Sequence, residues 1–431
     1  MRLSRHLPIG AAVVAGAAVA IGMGLTGGSG PEVANLWVDA DGGSCSRQAP
    51  AAEFSDEAAC KSLDAAYQAA SPGDLVVVRA GRYPAQTIRE KDEAAAPPVL
   101  VRPDRGSVPV LESLTIKASN LTIRGPMAMS RLAVDADGNR TANRPVKETV
   151  VEDVKVDGAG VDGVPVAYVR GVDGMTWRGV DVCCNNNFSL VLTDQDPAAG
   201  GLHRVTFDRS AFHDARLDAG SAAHSECLFA QGIDRLTITR SRFYRCAVMD
   251  VFVTSSGDGG DAVGGFVENN VFEAPMAAGN VCCSDSAFQF RTGGEPQPDL
   301  DGWDFRYNLF NAGAGFGDGG NVVRAGGLRV VGNVFLGGAA CREAPAVYRY
   351  NFHAGGPTCG GEGERSGSSA AVKRATIGPT AEVGPGNGWL PSRGSPLVDA
   401  GDPDDTPPVD LEGVRRGARP DLGPREATAR E

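Results

Sequence analysis

Residues 224–232, HSECLFAQG, place a histidine and a glutamate two positions apart at the start of a short apolar run. On a strand, His224 and Glu226 would face the same way, about 7 Å apart. Asp250 precedes a second such run, VFVT, and Arg291 follows a third, FQF. If these runs stack as neighbouring strands, Glu226 and Asp250 lie about 4.8 Å apart. The four side chains would then form one polar patch, able to move protons or to hold a cation between close carboxylates.

An ordinary structural explanation competes with this hypothesis. Outward positions of any strand are polar, and the loops between the three runs differ in length, so their register is open. Glu226 is less unusual because Asp250 repeats it in the next unit, whereas His224 has no counterpart. Three further single histidines are interpreted as structural, namely His203, His213 and His353.

Two acidic loops could bind Ca²⁺. One, TDQDPAAGG, contains Asp194 and Asp196, and the other, SGDGGDAVGG, contains Asp258 and Asp261. Carboxylate oxygens are the ligands that Ca²⁺ prefers. Since Gly-Asp turns are also common without a metal, both interpretations stay open.

Composition limits the partners of this chain. The 431 residues are enough for one large domain or two to three ordinary ones, and 42% of them are hydrophobic. The net charge of −12 argues against nucleic acid and anionic membranes, because both are bound through Lys and Arg. The chain has only six lysines, and none lies between Lys155 and Lys373.

The N-terminus and the cysteines both favour export. Arg2 and Arg5 precede an apolar run at residues 7–25, which is typical of a cleaved secretory signal or a retained N-terminal anchor. Ten cysteines suggest disulfides formed in an oxidising compartment. We expect the pairs Cys45–Cys60 and Cys341–Cys359. The sequence does not pair the remaining six, and no CxxC spacing supports a metal site.

The chain is a repeat of strands. Segments such as LTITRSRF, GFVENNVF and LRVVGNVF alternate apolar and polar residues and recur every 25 to 38 residues. Most are followed by a second short apolar strand. Short strands without helices between them predict a solenoid, in which each unit buries its inner face only by stacking on its neighbours. Phe243 over Phe272 would belong to such an inner column.

A small or amide residue marks the turn of each unit. These residues are Ser210, Ser241, Asn270, Asn308 and Asn333. Amides stacked one coil apart can hydrogen-bond to one another, so a structural ladder is the preferred interpretation.

The two ends of the chain differ from the repeat. Leu63, Ala66, Tyr67 and Ala70 have helical spacing, and Ser62 can be the N-cap, which predicts a helix that covers the open end of the solenoid. The expected organisation is a signal or anchor at 1–30, a cap and first coils at 31–110, the solenoid at 111–360 and a loose C-terminal segment at 361–431.

Three segments carry a resemblance to a known superfamily. AAYQAASPGDLVVVRAGRY and SNLTIRG resemble the N-terminal cap and an early coil of the right-handed parallel β-helix, or pectate-lyase-like, superfamily. SPLVDAGD resembles a C-terminal segment of its exported bacterial members. The resemblance covers roughly residues 35–425 and implies an all-β right-handed parallel β-helix with an N-terminal capping helix and an irregular C-terminal tail.

The same resemblance implies an extracellular polysaccharide as partner, and we expect a monomer. Many members cleave acidic polysaccharides, but the polygalacturonase and pectate lyase motifs are absent here. A uronide lyase would need a base among His224, Glu226 and Asp250, with Arg291 or Ca²⁺ holding the sugar acid. A hydrolase could use Glu226 and Asp250, with inversion or retention set by the separation of their carboxyl groups. The alternative is a non-catalytic cell-envelope or carbohydrate-binding scaffold.

Overall fold

The structure is a computed structural model that describes residues 31–91, 96–137, 144–193, 201–216, 225–254, 262–273, 286–291, 301–316, 327–341, 346–380 and 388–427. For Arg291 it describes the backbone but not the side chain. The expected signal or anchor at 1–30 lies outside these ranges. No helix within them is both long and apolar enough to cross a bilayer.

Three columns of parallel strands, numbered in chain order, build the molecule. Sheet A contains β1 (Leu36–Val38), β2 (Leu75–Val78), β5 (Val99–Pro103), β8 (Leu121–Met129), β10 (Val146–Asp157), β12 (Val172–Arg178), β15 (Leu202–Asp208), β18 (Asp234–Thr239), β21 (Phe266–Glu268), β24 (Asp304–Arg306), β27 (Arg329–Val331) and β30 (Val347–Arg349).

Sheet B follows sheet A in each coil of the chain. It contains β3 (Arg82–Tyr83), β6 (Val110–Leu111), the last residues of β8 and β10, β13 (Asp181–Asn185), β16 (Ala211–Ala215), β19 (Arg242–Tyr244), β22 (Val271–Phe272), β25 (Leu309–Phe310), β28 (Val334–Phe335), β31 (Phe352–Ala354) and β32 (Arg365–Gly367).

Sheet C completes each coil. It contains β4 (Gln86–Ile88), β7 (Leu114–Ile116), β9 (Leu132–Asp135), β11 (Ala167–Arg170), β14 (Leu190–Thr193), β17 (Leu228–Gln231), β20 (Val251–Thr254), β23 (Ser286–Arg291), β26 (Gly313–Gly315) and β29 (Ala339–Ala340). Each strand pairs in parallel with its counterpart one coil away, which confirms the parallel β-helix predicted from the repeat.

The strand alternation of the sequence becomes an inside and an outside. In β18, Leu236 and Ile238 are fully buried, whereas Arg235, which precedes them, is exposed. The inner column of sheet B is aromatic, as expected from Phe243 and Phe272, whose ring centroids lie 5.0 Å apart in a stacked arrangement. The stack continues to Phe310 at 4.9 Å and Phe335 at 5.2 Å. Aromatic burial of this kind contributes more than its area alone.

The turn between sheets A and B carries the predicted ladder. Asn270 Oδ1 accepts from the backbone N of Ser241 at 2.8 Å, and Asn308 Oδ1 accepts from that of Asn270 at 2.9 Å. The series continues in the same way: Asn333 Oδ1 accepts from the backbone N of Asn308 at 3.0 Å, and Asn351 Oδ1 accepts from that of Asn333 at 2.8 Å. All four asparagines are fully buried, so the ladder satisfies polar groups that would otherwise be costly to bury.

The predicted cap and both predicted disulfides are confirmed. Helix α1 (Leu63–Ala69) begins at Ser62, whose Oγ accepts from Ala65 N, and it buries Leu63, Ala66 and Tyr67 against the core. The disulfides Cys45–Cys60 and Cys341–Cys359 are present, together with Cys183–Cys184 and Cys227–Cys246, which the sequence left unpaired. Cys282 and Cys283 lie outside the described residues.

The C-terminal segment is irregular but closely packed. Parallel pairing continues to β32, a few residues past the expected boundary at 360. Helix α2 (Ser369–Arg374) and the antiparallel pair β33 (Thr376–Ile377) and β34 (Leu390–Pro391) follow. Leu397, Leu411 and Leu422 then bury themselves against the outer side of sheet B. This tail therefore covers that side of the solenoid from β19 to β31.

Candidate functional site

Glu226 and Asp250 come just before β17 and β20, as expected, but their expected register is wrong by one residue. Leu228 pairs with Val251, so Asp250 lies opposite Cys227 rather than opposite Glu226. Both carboxylates are also fully buried. They lie in the turn between sheets B and C, beside the Cys227–Cys246 disulfide.

The other predicted site residues fall outside the description. His224, Asp258 and Asp261 lie outside the described ranges, as do Asp194 and Asp196. Arg291 ends β23, in register with Thr254 of β20. The hypothesis of a shared patch at these positions therefore stays a prediction.

The outer side of sheet B presents a different polar cluster. Val182, Phe212 and Phe243 are aligned on successive coils and face the core, so the residue that follows each of them faces outward. The parallel register aligns these outward residues in one column, which runs Asp157, Cys183, His213 and Tyr244. Asp181 lies in the neighbouring column on β13, beside Lys155 of β10.

His213 is held at both ring nitrogens. Nε2 lies 3.0 Å from Asp181 Oδ1, and Nδ1 lies 2.7 Å from Asp214 Oδ2. The ring stacks on Tyr244 with centroids 4.5 Å apart. Arg245, in turn, donates from Nε to Asp214 Oδ1 at 2.8 Å and from Nη2 to Oδ2. We call Asp181, His213, Asp214 and Arg245 the histidine cluster.

Exposure divides the histidine cluster into an inner and an outer part. The side chains of His213 and Asp214 are each 12% exposed, whereas that of Asp181 is 44% exposed. The tail ends its coverage next to this point, where Glu412 pairs with Arg242 of β19. Asp181, together with the 34% exposed side chain of Arg245, is therefore where the cluster meets solvent.

The electrostatics follow from this geometry. Burial alone would lower the pKa of His213, but hydrogen bonds to Asp181 and Asp214 outweigh burial and raise it above its ordinary value. The hydrogen bonds from Arg245 and His213 lower the pKa of Asp214 to about 2, against the opposing effect of burial. Near neutral pH the cluster thus combines an ionised Asp214 with an imidazole that retains its proton more readily than usual.

Sulfur completes the surroundings of His213. The vicinal disulfide Cys183–Cys184 lies at the same end of β13. The donor atoms of Asp181, Cys183 and His213 all lie within 4.8 Å of one another, as do those of Asp157, Cys183 and Cys184. Cys183 is therefore shared by two groups of metal-ligand type.

Two other groups of this type are less suited to chemistry. His353, Cys359 and Glu364 also lie within 4.8 Å, but Glu364 ends the asparagine ladder and accepts from Asn351 Nδ2 at 2.6 Å. Asp39, Asp41 and Asp56 form an acidic group at the N-terminal end of the solenoid. Exposed acidic groups of this kind are common without a ligand.

The outer side of sheet C holds a shallow cavity of about 410 Å³. Small residues line it, namely Ser286, Gly313, Ala314, Gly315, Gly337, Gly338 and Ala339. None of the described residues that line it is ionisable.

The sequence did not reveal the contact between His213 and Asp181, because Asp181 lies 32 residues earlier. The sequence nevertheless carries a pattern that indicates the outward column containing His213. The coil ends Val182, Phe212 and Phe243 were recognisable, and the residues that follow them must share one outward column.

Comparisons with known proteins concern the fold. No family model matches the chain, and no curated protein matches it. Pectate lyase Pel9A has a similar structure, with 13% identity and a TM-score of 0.48 over 91% of this chain and 96% of that one. The PL6 family alginate lyase AlyGC is similar at 11% identity and a TM-score of 0.36, over 86% of this chain and 60% of the lyase. A Dettilon tailspike protein is similar at 12% identity and a TM-score of 0.36, over 68% of this chain and 62% of the tailspike chain. At these identities the likeness extends to the fold alone.

Proposed function

We propose that this protein acts on an extracellular acidic polysaccharide and that the histidine cluster transfers the proton. The observation that carries the proposal is an imidazole fixed between two carboxylates, one buried against Arg245 and one exposed on the outer side of the solenoid. A positioned acid or base contributes about 10²–10⁴-fold to the cleavage of such bonds.

Each member of the cluster has a distinct role in this proposal. Asp214, fixed by Arg245, orients the His213 ring and favours its protonated form. His213 holds the mobile proton at Nε2, 3.0 Å from the exposed carboxylate of Asp181. Breaking a glycosidic bond by hydrolysis or by elimination requires proton transfer at the reacting sugar, and this proton is within reach of a bound polymer.

A cation for the sugar carboxylate lies on the same face. Lys155 of β10 is 54% exposed, lies 3.7 Å from Asp157 and aligns with Asp181 of the next coil. It is two coils from His213, a distance that one or two sugar units of a polymer laid along sheet B would span. Lys155 is thus the binding residue that we assign to the acidic group of the substrate.

Extracellular location is part of the proposal. Four disulfides among the described residues favour an oxidising compartment. The signal-like N-terminus supports the same conclusion.

One observation favours a second candidate function, a non-catalytic carbohydrate-binding scaffold. Asp214 is saturated by Arg245 and His213, as in a network that only stabilises neighbouring coils. The fully buried Glu226 and Asp250 also remove two of the four predicted catalytic groups from the surface.

The deciding experiment uses a panel of uronic-acid polysaccharides with and without Ca²⁺. Ultraviolet absorbance detects an unsaturated product, and reducing ends detect hydrolysis. We expect turnover of at least one polymer and a loss of about 10²–10⁴-fold in His213→Ala. His203→Ala is the matched control, because His203 lies on sheet A, 3.2 Å from Asp234, and should leave the rate unchanged. An unchanged rate in His213→Ala, or binding without turnover of any polymer, would overturn the catalytic proposal, and the second result would establish the scaffold.

A further inference from the structure

We propose that the vicinal disulfide Cys183–Cys184 controls a second activity of this face, the binding of a transition-metal ion. On reduction of the disulfide, Cys183, Asp181 and His213 become the ligands of a site for Zn²⁺ or a similar divalent ion. Neither the fold nor the proposed polysaccharide chemistry requires this site.

The ligand atoms are already close together. His213 Nε2 and Asp181 Oδ1 are 3.0 Å apart, and Cys183 Sγ lies within 4.8 Å of both. Zinc bonds of about 2.0–2.3 Å in a tetrahedron separate donor atoms by about 3.3–3.8 Å. The three donors therefore reach bonding distance through side-chain shifts of about 1 Å or less. Cys184 and Asp157, which lie within 4.8 Å of Cys183, are available as a fourth ligand.

The surroundings of His213 provide independent support. Its Nδ1 contacts the Asp214 carboxylate at 2.7 Å, and Arg245 fixes that carboxylate. A carboxylate behind the ring is the usual partner of a metal-bound histidine, because it sets the tautomer and strengthens the ligand nitrogen. The stack on Tyr244 holds the ring plane. Nε2 is thereby directed toward Asp181 and Cys183, where a metal would lie.

The disulfide makes the site conditional. A disulfide sulfur is a poor ligand, whereas a thiolate is a strong one for borderline ions. With a phosphine as reductant, the S–S bond breaks, water supplies one hydrogen to each sulfur, and the oxygen forms the phosphine oxide. Metal binding then releases the proton of each coordinating thiol. Cys184 is partly exposed and Cys183 is buried, so the reductant attacks at Cys184.

The ligand set also selects the ion. One sulfur, one imidazole nitrogen and one carboxylate oxygen suit Zn²⁺ or Co²⁺, whereas Ca²⁺ takes oxygen ligands. Co²⁺ is the convenient probe, because thiolate coordination gives it a charge-transfer band in the near ultraviolet.

The test titrates Co²⁺ into the full chain before and after phosphine reduction under nitrogen, with the phosphine removed. We expect a thiolate–cobalt band in the reduced protein only, and its absence in the reduced double variant Cys183→Ser/Cys184→Ser. That variant retains the other cysteines, including Cys359 near His353, so any cobalt band that it shows reports binding elsewhere. Asp214→Asn should lower the affinity of the reduced protein for Co²⁺ by about 10–100-fold.

A second variant keeps the test valid if the double variant folds poorly. His213→Ala retains every thiol, so a lost cobalt band in this variant cannot reflect missing sulfur. Far-ultraviolet circular dichroism confirms that the compared samples are folded. Equal cobalt spectra in the reduced wild type, the double variant and His213→Ala would overturn the proposal, as would equal binding by the oxidised protein. Because the readout is metal binding alone, a polysaccharide panel without turnover does not affect this result.

Discussion

The Asp214 carboxylate lies 2.7 Å from Nδ1 of His213, the residue that precedes it in the chain. Two consecutive residues on a regular strand point to opposite sides, yet these two meet. The backbone explains this, because Asp214 adopts a left-handed φ of 54°. Cys184 and Arg245, which occupy the same place one coil before and after, have φ values of 78° and 54°. The ends of β13, β16 and β19 thus turn in the same way, and this turn brings Asp214, Arg245 and His213 together.

Replacing Asp214 tests this arrangement directly. In Asp214→Asn we expect the pKa of His213 to fall, because one of its two charged partners is lost. Stability should decrease by about 1–3 kcal/mol, since Arg245 loses a charged hydrogen-bond partner. NMR titration of labelled histidine and chemical denaturation measure the two effects.

The pH dependence of this variant has a defined sign. The ionised Asp214, with its pKa lowered to about 2, stabilises the fold above the ordinary pKa and loses this effect as the pH falls toward 2. His213, with a raised pKa, stabilises below its ordinary pKa and loses this effect as the pH rises. The loss of stability relative to the wild type should therefore be largest between the ordinary pKa of aspartate, 3.8, and that of histidine, 6.5. Asp234→Asn, which alters the exposed pair with His203, is the control and should change stability by less than about 0.5 kcal/mol.

The asparagine ladder predicts a large effect at a residue far from any site. Asn308 is fully buried, donates to Val267 O at 2.8 Å and accepts from Asn270 N at 2.9 Å. Asn308→Ala would leave Val267 O and Asn270 N, both buried on the preceding coil, without this side-chain partner, so we expect a loss of at least about 2 kcal/mol. Denaturant unfolding gives the value. Asn187→Ala is the comparison, because Asn187 bonds locally to Phe188 N, and a similar loss there would contradict the ladder's importance.

The sequence predicted the features that repeat and missed those that depend on loop length. Phe243 over Phe272 and the buried asparagines recur once per coil, so their spacing alone identifies them. Glu226 and Asp250 were placed one residue out of register because the loop before each strand has a different length. His213 and Asp181 were not associated because stacking, rather than proximity in sequence, brings them together.

The last coil predicts an acid-sensitive end of the ladder. Glu364 accepts from Asn351 and lies 2.7 Å from His353 Nε2. Burial would raise its pKa, but these hydrogen bonds outweigh burial and lower it, so its stabilising effect is present above pH 4.5 and is lost as the pH falls through the folded-state pKa. Glu364→Gln should lower the melting temperature at pH 7, and the gap to wild type should narrow toward pH 3. A constant gap across this range would exclude the ionised form as the cause.

Two adjacent arginines test how the tail is held. Arg416 is buried, donates to Asn269 Oδ1 at 2.8 Å and to Gly423 O at 2.7 Å, and lies over the ring of Tyr307. Arg415 is exposed. Arg416→Ala should release the tail from the solenoid and make it sensitive to limited proteolysis, whereas Arg415→Ala should not. Equal protection of the two variants would show that apolar packing alone holds the tail.

The raised pKa of Asp421 predicts that the docking of this tail depends on pH. Burial and the nearby charge of Glu426 raise its pKa to about 6, against hydrogen bonds from Ala427 N and Asp399 N and the charge of Arg416. An acid whose pKa is raised on folding stabilises the folded state fully below its ordinary pKa of 3.8, and this contribution is lost as the pH rises through 6. Proteolytic protection of the tail should therefore decrease between pH 4.5 and pH 7.5. In Asp421→Asn the dependence should disappear, because the amide does not ionise, and a variant with the slope of the wild type would assign the effect to another group.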